Sequence, residues 1–385
     1  MPPPAPAPET WRAANTDITT LERQLSNLWK KLAAQSPTSY PVRTHLFNLV
    51  AFAGDQASAQ RIARLDEMCR HHASRAIILV SDRSHRNSSV DGEITVQCTS
   101  GGDGSSSLCY EVVQLTVHGR AADHLSSIVI PLLIPQIPTF VWWPGQPLFG
   151  HRLFHRMLSV ADQLIVDSAQ FESPGDGLAS LRRLSQGALG INDFNWGRLA
   201  AWRDTVSQFF DNPAMLPYLS GVRGITLEFG AGESNFRGVT AGALLLLGWM
   251  CARLNWRPET TLETLVTGDV TISVLQGERL IPIQLQFADH GTGAASRLMG
   301  IEIVSQLHDR PPARFRVRRS DRLQTVEVSA VIHGEPEISR VLPLSIPSEE
   351  ALLAEELSYA GHDPLFESTL LEASRLAGRE VFLPV

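Results

Sequence analysis

The hydrophobic pattern along the chain changes period several times, and each change predicts an element. Ile18, Leu21, Leu25, Leu28, Trp29 and Leu32 recur at helical spacing behind Thr16 or Asp17, either of which suits a helix N-cap. Leu46–Phe52 reads as a strand and Ala57–Arg70 as a helix with Ile62, Leu65 and Met68 on its apolar face. Ala76–Val80 is apolar throughout, as in a strand covered on both faces. Glu93–Thr99 and Leu108–His118 flank Gly101-Gly102-Asp103-Gly104 and read as a hairpin. A helix over Ala121–Leu133, a strand over Thr139–Trp143, a helix over Arg152–Val160 and a strand over Leu164–Val166 follow. This alternation predicts an N-terminal three-layer α/β domain with a mixed sheet. The turn after the first strand lacks the GxGxxG pattern, so the sequence does not declare a dinucleotide fold.

Ser173-Pro174-Gly175-Asp176-Gly177 is the best domain boundary. Helices are expected over Leu178–Leu184 and Trp196–Phe210, then a strand over Ile225–Phe229 and a buried helix over Val239–Leu254. Strands over Val270–Leu275, Ile281–Phe287, Met299–Leu307, Ala313–Val317 and Gln324–Ile332 precede two closing helices, Ser348–Tyr359 and Leu365–Leu376. Grouped strands with helices at the ends predict a C-terminal α+β domain. The division is therefore a disordered proline-rich tail over 1–15, a helix plus α/β domain over 16–175, and an α+β domain over 176–385.

Composition narrows the chemistry. Apolar residues are 43% and charged residues 19% of the 385, the balance of a folded protein. A net charge of −7 disfavours a general nucleic-acid partner. Of 33 basic residues only Lys30 and Lys31 are lysines, which excludes a Walker A loop, a kinase-type strand lysine and a Schiff-base enzyme. The N-terminus lacks the regions of a signal peptide, and the apolar run Val239–Ala252 is too short to cross a bilayer. A cytoplasmic protein without a membrane anchor is expected. No HExxH, CxxC or GxSxG pattern occurs; Cys69-Arg70-His71-His72 is a weak ligand set, and neither Gly291-Thr292-Gly293 nor Gly230-Ala231-Gly232 makes a phosphate loop alone. Neither a metal nor a cofactor is expected, and no catalytic residue is assigned.

Four features stand out. Asp167 and Ser168 follow a strand at the end where α/β folds place ligands. Period-2 alternation puts Arg314, Arg316 and Arg318 on one face of a strand and Phe315 and Val317 on the other, and Arg310, Arg319 and Arg322 add to the positive stripe. That stripe is either solvated surface or a dock for an acidic partner or a phosphorylated ligand. Trp142 and Trp143 point to opposite faces of their strand, so an exposed member would anchor an interface. A symmetric hairpin sets Cys98 opposite Cys109, with Cβ atoms roughly 4.5–5.5 Å apart, so the pair is a redox candidate; a one-residue slip would instead leave two structural thiols.

Several blocks together carry a resemblance. Asp123–Pro135 runs into Pro138-Thr139-Phe140-Val141-Trp142-Trp143-Pro144-Gly145, followed by Ala161–Ser168. Asp193-Phe194-Asn195-Trp196-Gly197-Arg198-Leu199 leads to Trp202-Arg203-Asp204, and Ala243–Met250 to Arg253-Leu254-Asn255-Trp256. In these the chain resembles the glucose-6-phosphate dehydrogenase assembly protein family (OpcA). The resemblance implies a non-catalytic partner that binds and activates glucose-6-phosphate dehydrogenase at the head of the oxidative pentose phosphate pathway. Two departures are visible. His72-Ala73-Ser74-Arg75 stands where the family often has His-Pro-x-Arg, and the last cysteine is Cys251, inside an apparently buried helix. The competing reading is an α/β enzyme or sugar-phosphate-binding protein using Asp167, Ser168 and the Arg314–Arg318 stripe.

Overall fold

The computed structural model describes residues 7–35, 45–54, 58, 62, 73–82, 87–100, 107–230, 240–259, 263–264, 270–288, 297–320 and 324–378. Contacts divide the chain into two units. The first comprises 1–167, 188–192 and 353–362; the second comprises 168–187, 193–352 and 363–385. The main crossing thus falls at Asp167–Ser168 rather than at 175, and the chain returns twice to the first unit. The linker composition around Ser173–Gly177 marks a helix start, since Pro174 sits in its first turn.

The first unit carries an eight-stranded mixed sheet. Its strands are β1 (Glu9–Ala13), β2 (Phe47–Ala53), β3 (Ser74–Asp82), β4 (Ser89–Ser100), β5 (Ser107–His118), β6 (Thr139–Trp143), β7 (Gln163–Val166) and β8 (Gly190–Asp193). Their order is β1-β4-β5-β3-β2-β6-β7-β8, with β5, β3, β2, β6 and β7 mutually parallel. From β2 the chain winds outward through β3 to β5, then restarts at β6 and winds the other way. That reversal is the switch point of a doubly wound sheet. The three-layer α/β expectation with a mixed sheet holds, while the missing glycine motif left only a dinucleotide-binding fold undeclared. The order of strands follows from how buried parallel strands pack, whereas the motif belongs to a ligand, so the two separate. Only one glycine, Gly54, directly follows β2.

Burial explains the layering. β2, β6 and β7 are buried along their whole length, as strands covered on both faces must be. The expected helix over Ala57–Arg70 lies outside the described residues except for Ser58 and Ile62, as do Cys69–His72 and the hairpin tip 101–106. In place of the helix expected over Ala121–Leu133 stand a 3-10 turn (Gly119–His124), α2 (Leu125–Val129) and a second 3-10 turn (Ile130–Leu132), where Pro131 ends α2. Ahead of these, α1 (Ile18–Gln35) starts at Asp17, whose carboxylate accepts the Thr20 amide at 2.7 Å. Its stripe Leu21, Leu25, Leu28, Trp29 and Leu32 is buried, and Gly92 of β4 leaves room for Leu21.

One correction concerns the tail. Glu9–Ala13, read as part of a disordered segment, form an edge strand antiparallel to β4, with Arg12 paired to Glu93 at 2.6 Å. Residues 1–6 lie outside the described residues.

The second unit is built on a nine-stranded sheet. β9 (Val222–Gly230), β12 (Val270–Gln276), β13 (Arg279–Ala288), β14 (Leu298–Ser305), β15 (Ala313–Arg319), β16 (Thr325–Ile332) and β17 (Ile338–Pro343) supply most of it. Short β10 (Arg257–Pro258) and β11 (Glu263–Thr264) both pair with β12. The order is β10-β12-β13-β9-β14-β15-β16-β17, antiparallel except where β13 lies parallel to β9. The expected helix Trp196–Phe210 divides at Leu199 into α5 (Phe194–Arg198) and α6 (Ala200–Phe210). The other helices are α3 (Arg152–Leu158) in the first unit, α4 (Pro174–Leu184), α7 (Ala241–Leu254) and α9 (Pro364–Leu376) in the second, and α8 (Glu349–Leu357), which begins in the second unit and ends in the first. The α+β expectation for this half holds, because the alternating strand burial Ala313–Arg319 leaves one sheet face for helices and one for solvent.

Helix packing there depends on Gly248. A Cβ at that position would lie 2.6 Å from the Thr369 carbonyl oxygen and 2.9 Å from the Ala373 amide, both backbone atoms of α9. Gly248→Ala gains up to about 1 kcal/mol of helix propensity but must push α7 and α9 apart. We expect a net loss of about 1–3 kcal/mol, read as a lower denaturant midpoint at unchanged slope.

Candidate functional site

The two tryptophans are not surface anchors. Trp142 and Trp143 are 1% and 3% exposed. Their strand is central in a sheet covered on both sides, so both of its faces are core. The Trp143 ring packs 4.3 Å from Phe52 and 5.1 Å from Phe154, and its indole N–H donates to the Gln146 carbonyl. Neither indole is available to a partner, which removes both as interface candidates.

Asp167 and Ser168 are also buried. The Ser168 amide donates to Asp193 Oδ1 at 2.9 Å, and its hydroxyl accepts Asn195 Nδ2 at 3.0 Å. Asp193 Oδ1 further accepts the Asn195 amide and so caps α5. Ser168 therefore fastens a helix start. The neighbouring Ala169 and Gln170, not Ser168 itself, reach a cavity.

Arg314, Arg316 and Arg318 do share the solvent face of β15, with side chains 60, 45 and 48% exposed. They are not alone on it. Glu302 lies within 3.7 Å of Arg314 and 3.8 Å of Arg316, and Glu228 within 3.8 Å of Arg318. Glu327 stands opposite Arg318 in the register with β16. The stripe is thus a mixed-charge face, whose loose, exposed pairs contribute little to folding.

The next residue of that strand behaves differently. Alternation turns Arg319 to the helix side, where it is 8% exposed. Its guanidinium donates to the Leu344 carbonyl at 2.7 Å and sits 5.4 Å from the Trp202 ring. Burial and then the charge of Arg297 push its pKa down. Around it opens a cavity of about 380 Å³ within the second unit, lined among others by Asn195, Arg198, Trp202, Gly242, Arg297 and Arg319. No acidic side chain lines it among the described residues. The sequence reading counts Arg319 with the exposed stripe, but its odd position in the strand puts it on the opposite, buried face. The available signal was an arginine at a core-facing strand position.

Asn195, Arg198, Leu199 and Trp202, from one block of the resemblance, all line this cavity. The same block's Trp196 and Arg203 face elsewhere. Trp196 donates to Asp363, the N-cap of α9, at 3.1 Å, while Arg203 stacks 3.3 Å over the Trp196 ring and donates to its carbonyl. Desolvation lowers Arg203 to about 10 against the opposing pull of Asp204 and Asp363.

In the first unit, Cys98 and Cys109 stand directly opposite one another in the β4–β5 ladder and are joined by a disulfide. Cys251 in α7 is buried, and desolvation followed by the charge of Glu372 raises its thiol to about 12. Among the described residues no helix is long and apolar enough to cross a membrane, and no cluster of metal-ligating side chains occurs.

Two units, one doubly wound without a glycine-rich turn and one an open-faced sheet with an arginine-lined cavity, define a two-unit α/β and α+β protein. Known proteins sharpen this class. A family model described as the glucose-6-phosphate dehydrogenase subunit N-terminal domain matches residues 65–183, and one described as the C-terminal domain of that subunit matches 189–370. The chain belongs to the OpcA family of glucose-6-phosphate dehydrogenase assembly proteins. A Nostoc punctiforme relative, provisionally named OxPP cycle protein OpcA, is 26% identical over 83% of this chain and 68% of its own length. A Synechocystis relative with the same provisional name is 33% identical over 39% of this chain and 30% of its own length. Among solved structures, a 3-ketoreductase from Actinomadura kijaniata superposes with a TM-score of 0.47 at 10% identity, covering 86% of this chain and 96% of that one.

Proposed function

We propose that the protein is a non-catalytic cytoplasmic partner that binds glucose-6-phosphate dehydrogenase and raises its activity at the head of the oxidative pentose phosphate pathway. The observation that carries this reading is the pair of family matches side by side, one for each half of the chain. The residue chemistry agrees with it. Lys30 and Lys31 are exposed on α1, so lysine-dependent phosphoryl transfer and Schiff-base chemistry have no residue to use. Activation requires differential affinity: the partner must bind the active oligomeric or conformational state of the dehydrogenase more tightly than the inactive one.

The β15 face is the candidate docking surface. Arg314, Arg316 and Arg318 would meet carboxylates of the dehydrogenase in exchange for Glu302 and Glu228, which they now touch only loosely. Mixing the purified protein with its own organism's dehydrogenase tests both statements, with light scattering for mass and steady-state kinetics for activity. A complex with a lower apparent KM for the sugar phosphate, or a higher turnover, is expected. Triple Arg→Glu substitution of the stripe should slow association, and wild-type binding should weaken with salt, while stability barely moves. Absence of a complex at micromolar concentration rejects the partner role. Unchanged association of the folded triple variant assigns the stripe to solvent.

A further inference from the structure

The cavity beside Arg319 gathers arginines from three separate places in the second unit, one buried, one half-buried and one exposed. Three guanidinium groups, from Arg198, Arg297 and Arg319, line it, and no carboxylate does among the described residues, in a chain of net charge −7. We infer that this cavity is a binding site for a small phosphate monoester of a polyhydroxylated compound, that is, a ligand of the sugar-phosphate class. The site lies within this chain, so the inference does not depend on the dehydrogenase reading.

The guanidinium of Arg319 is placed before any ligand arrives. The Leu344 carbonyl holds it at 2.7 Å, and the Trp202 ring lies 5.4 Å away. A guanidinium held in this way meets a phosphate with little further loss of side-chain freedom. Arg297 is close enough to disfavour the charge on Arg319, and an anion between the two would relieve that repulsion. Gly242 brings the first turn of α7 to the wall, and that 14-residue helix adds the positive end of its dipole.

The rest of the lining argues for more than a bare anion. At about 380 Å³ the cavity exceeds what a single phosphate group fills. Gln170, Asn195 and Ser345 offer amide and hydroxyl groups, while Trp202 and Phe229 supply flat apolar walls. Hydroxyls on the edge and C–H groups on the faces of a sugar match that combination. An acidic protein surface fits less well, since Arg319 is 8% exposed and lies inside a concavity rather than on a rim.

The test uses isothermal titration of the whole chain alone with a hexose 6-phosphate, the unphosphorylated hexose and inorganic phosphate. The hexose phosphate should bind more tightly than inorganic phosphate, and the hexose should not bind. Arg297→Gln and Arg319→Gln should each weaken binding by about tenfold or more, whereas Arg152→Gln, exposed on α3 in the first unit, should not. If Arg319→Gln fails to fold through loss of its bond to Leu344, the exposed Arg297 carries the comparison. No binding up to about 10 mM overturns the inference. So does affinity unaffected by Arg297→Gln, or equal affinity for the ester and for inorganic phosphate. A cavity variant that loses only association with the dehydrogenase, with no ester binding in the wild type, would give the cavity to an acidic protein segment instead.

Discussion

Glu111→Ala is expected to cost about 3–5 kcal/mol of stability, the largest single loss in the first unit. Glu111 is fully buried on β5. Its Oε2 accepts Arg75 Nε at 2.6 Å, and its Oε1 accepts the Trp29 indole N–H and lies 3.1 Å from His45 Nε2. Arg75, opposite it in the β3–β5 register, also donates to the Leu132 carbonyl at 2.7 Å. The carboxylate thus ties α1, the segment before β2, β3 and the 3-10 turn at Leu132 to one point. Removing it leaves a buried guanidinium without its counter-charge, which is why the loss exceeds that of an exposed ion pair.

The same group makes a pH prediction. Desolvation pushes the Glu111 pKa up, but the hydrogen bond from His45, the charge of Arg75 and their further interactions outweigh it and hold the value near about 2, below the ordinary 4.5. A depressed carboxylate stabilises the fold above its unfolded pKa, and that contribution is lost as pH falls through the folded one. The loss, of about 3 kcal/mol, is expected between about pH 4.5 and pH 2. Acid titration of the folded fraction should show the transition in wild type, and Glu111→Gln should flatten it. A variant as stable as wild type at neutral pH, with the same acid midpoint, would remove Glu111 from this role.

The second large effect is expected on reduction of Cys98–Cys109. The bond closes a loop of sequence separation 11, and the chain-entropy relation puts its contribution at about 3 kcal/mol. Cys98→Ser or reductant should lower the melting temperature, and peptide mapping under non-reducing conditions should recover the linked pair. A redox role asks for more. In a reducing compartment such a bond would be a switch rather than a staple, so reduction should also change activation of the dehydrogenase. Melting that responds to reductant while activation does not would leave the bond structural. Cys251 should stay unreactive toward alkylating agents in the native protein, because its thiol is buried and raised to about 12.

Periodicity made much of this architecture legible. The stripe Leu21 to Leu32, the apolar run Ala76–Val80 and the alternation in Ala313–Arg319 each place their residues as the structure does. The hairpin centre at Asp103-Gly104 offered Cys98 opposite Cys109 as one of two registers, and the β4–β5 ladder adopts that one. These are local properties: one element's pattern, or two strands joined by a short turn, contain the information. Edge strands are another matter. Glu9–Ala13 follow a proline-rich run and become β1 only because β4 offers an unpaired edge. Gly190–Asp193 and Ile338–Pro343, too short or too exposed to show a period, became β8 and β17 for the same reason.

What the sequence determined by itself, then, was the set of long periodic elements, their faces, the two fold classes, the family resemblance and the exclusion of lysine chemistry. Tertiary structure alone decided the use of the faces. Trp142 and Trp143 point in opposite directions in either reading, but only a sheet covered on both sides buries both. Arg198, Arg297 and Arg319 come from α5, the residue preceding β14 and the end of β15, and no spacing in the chain announces that they share a cavity. Charges separated by a hundred residues meet through sheet order and helix placement, and those are set by the packing of the whole unit rather than by any window of sequence.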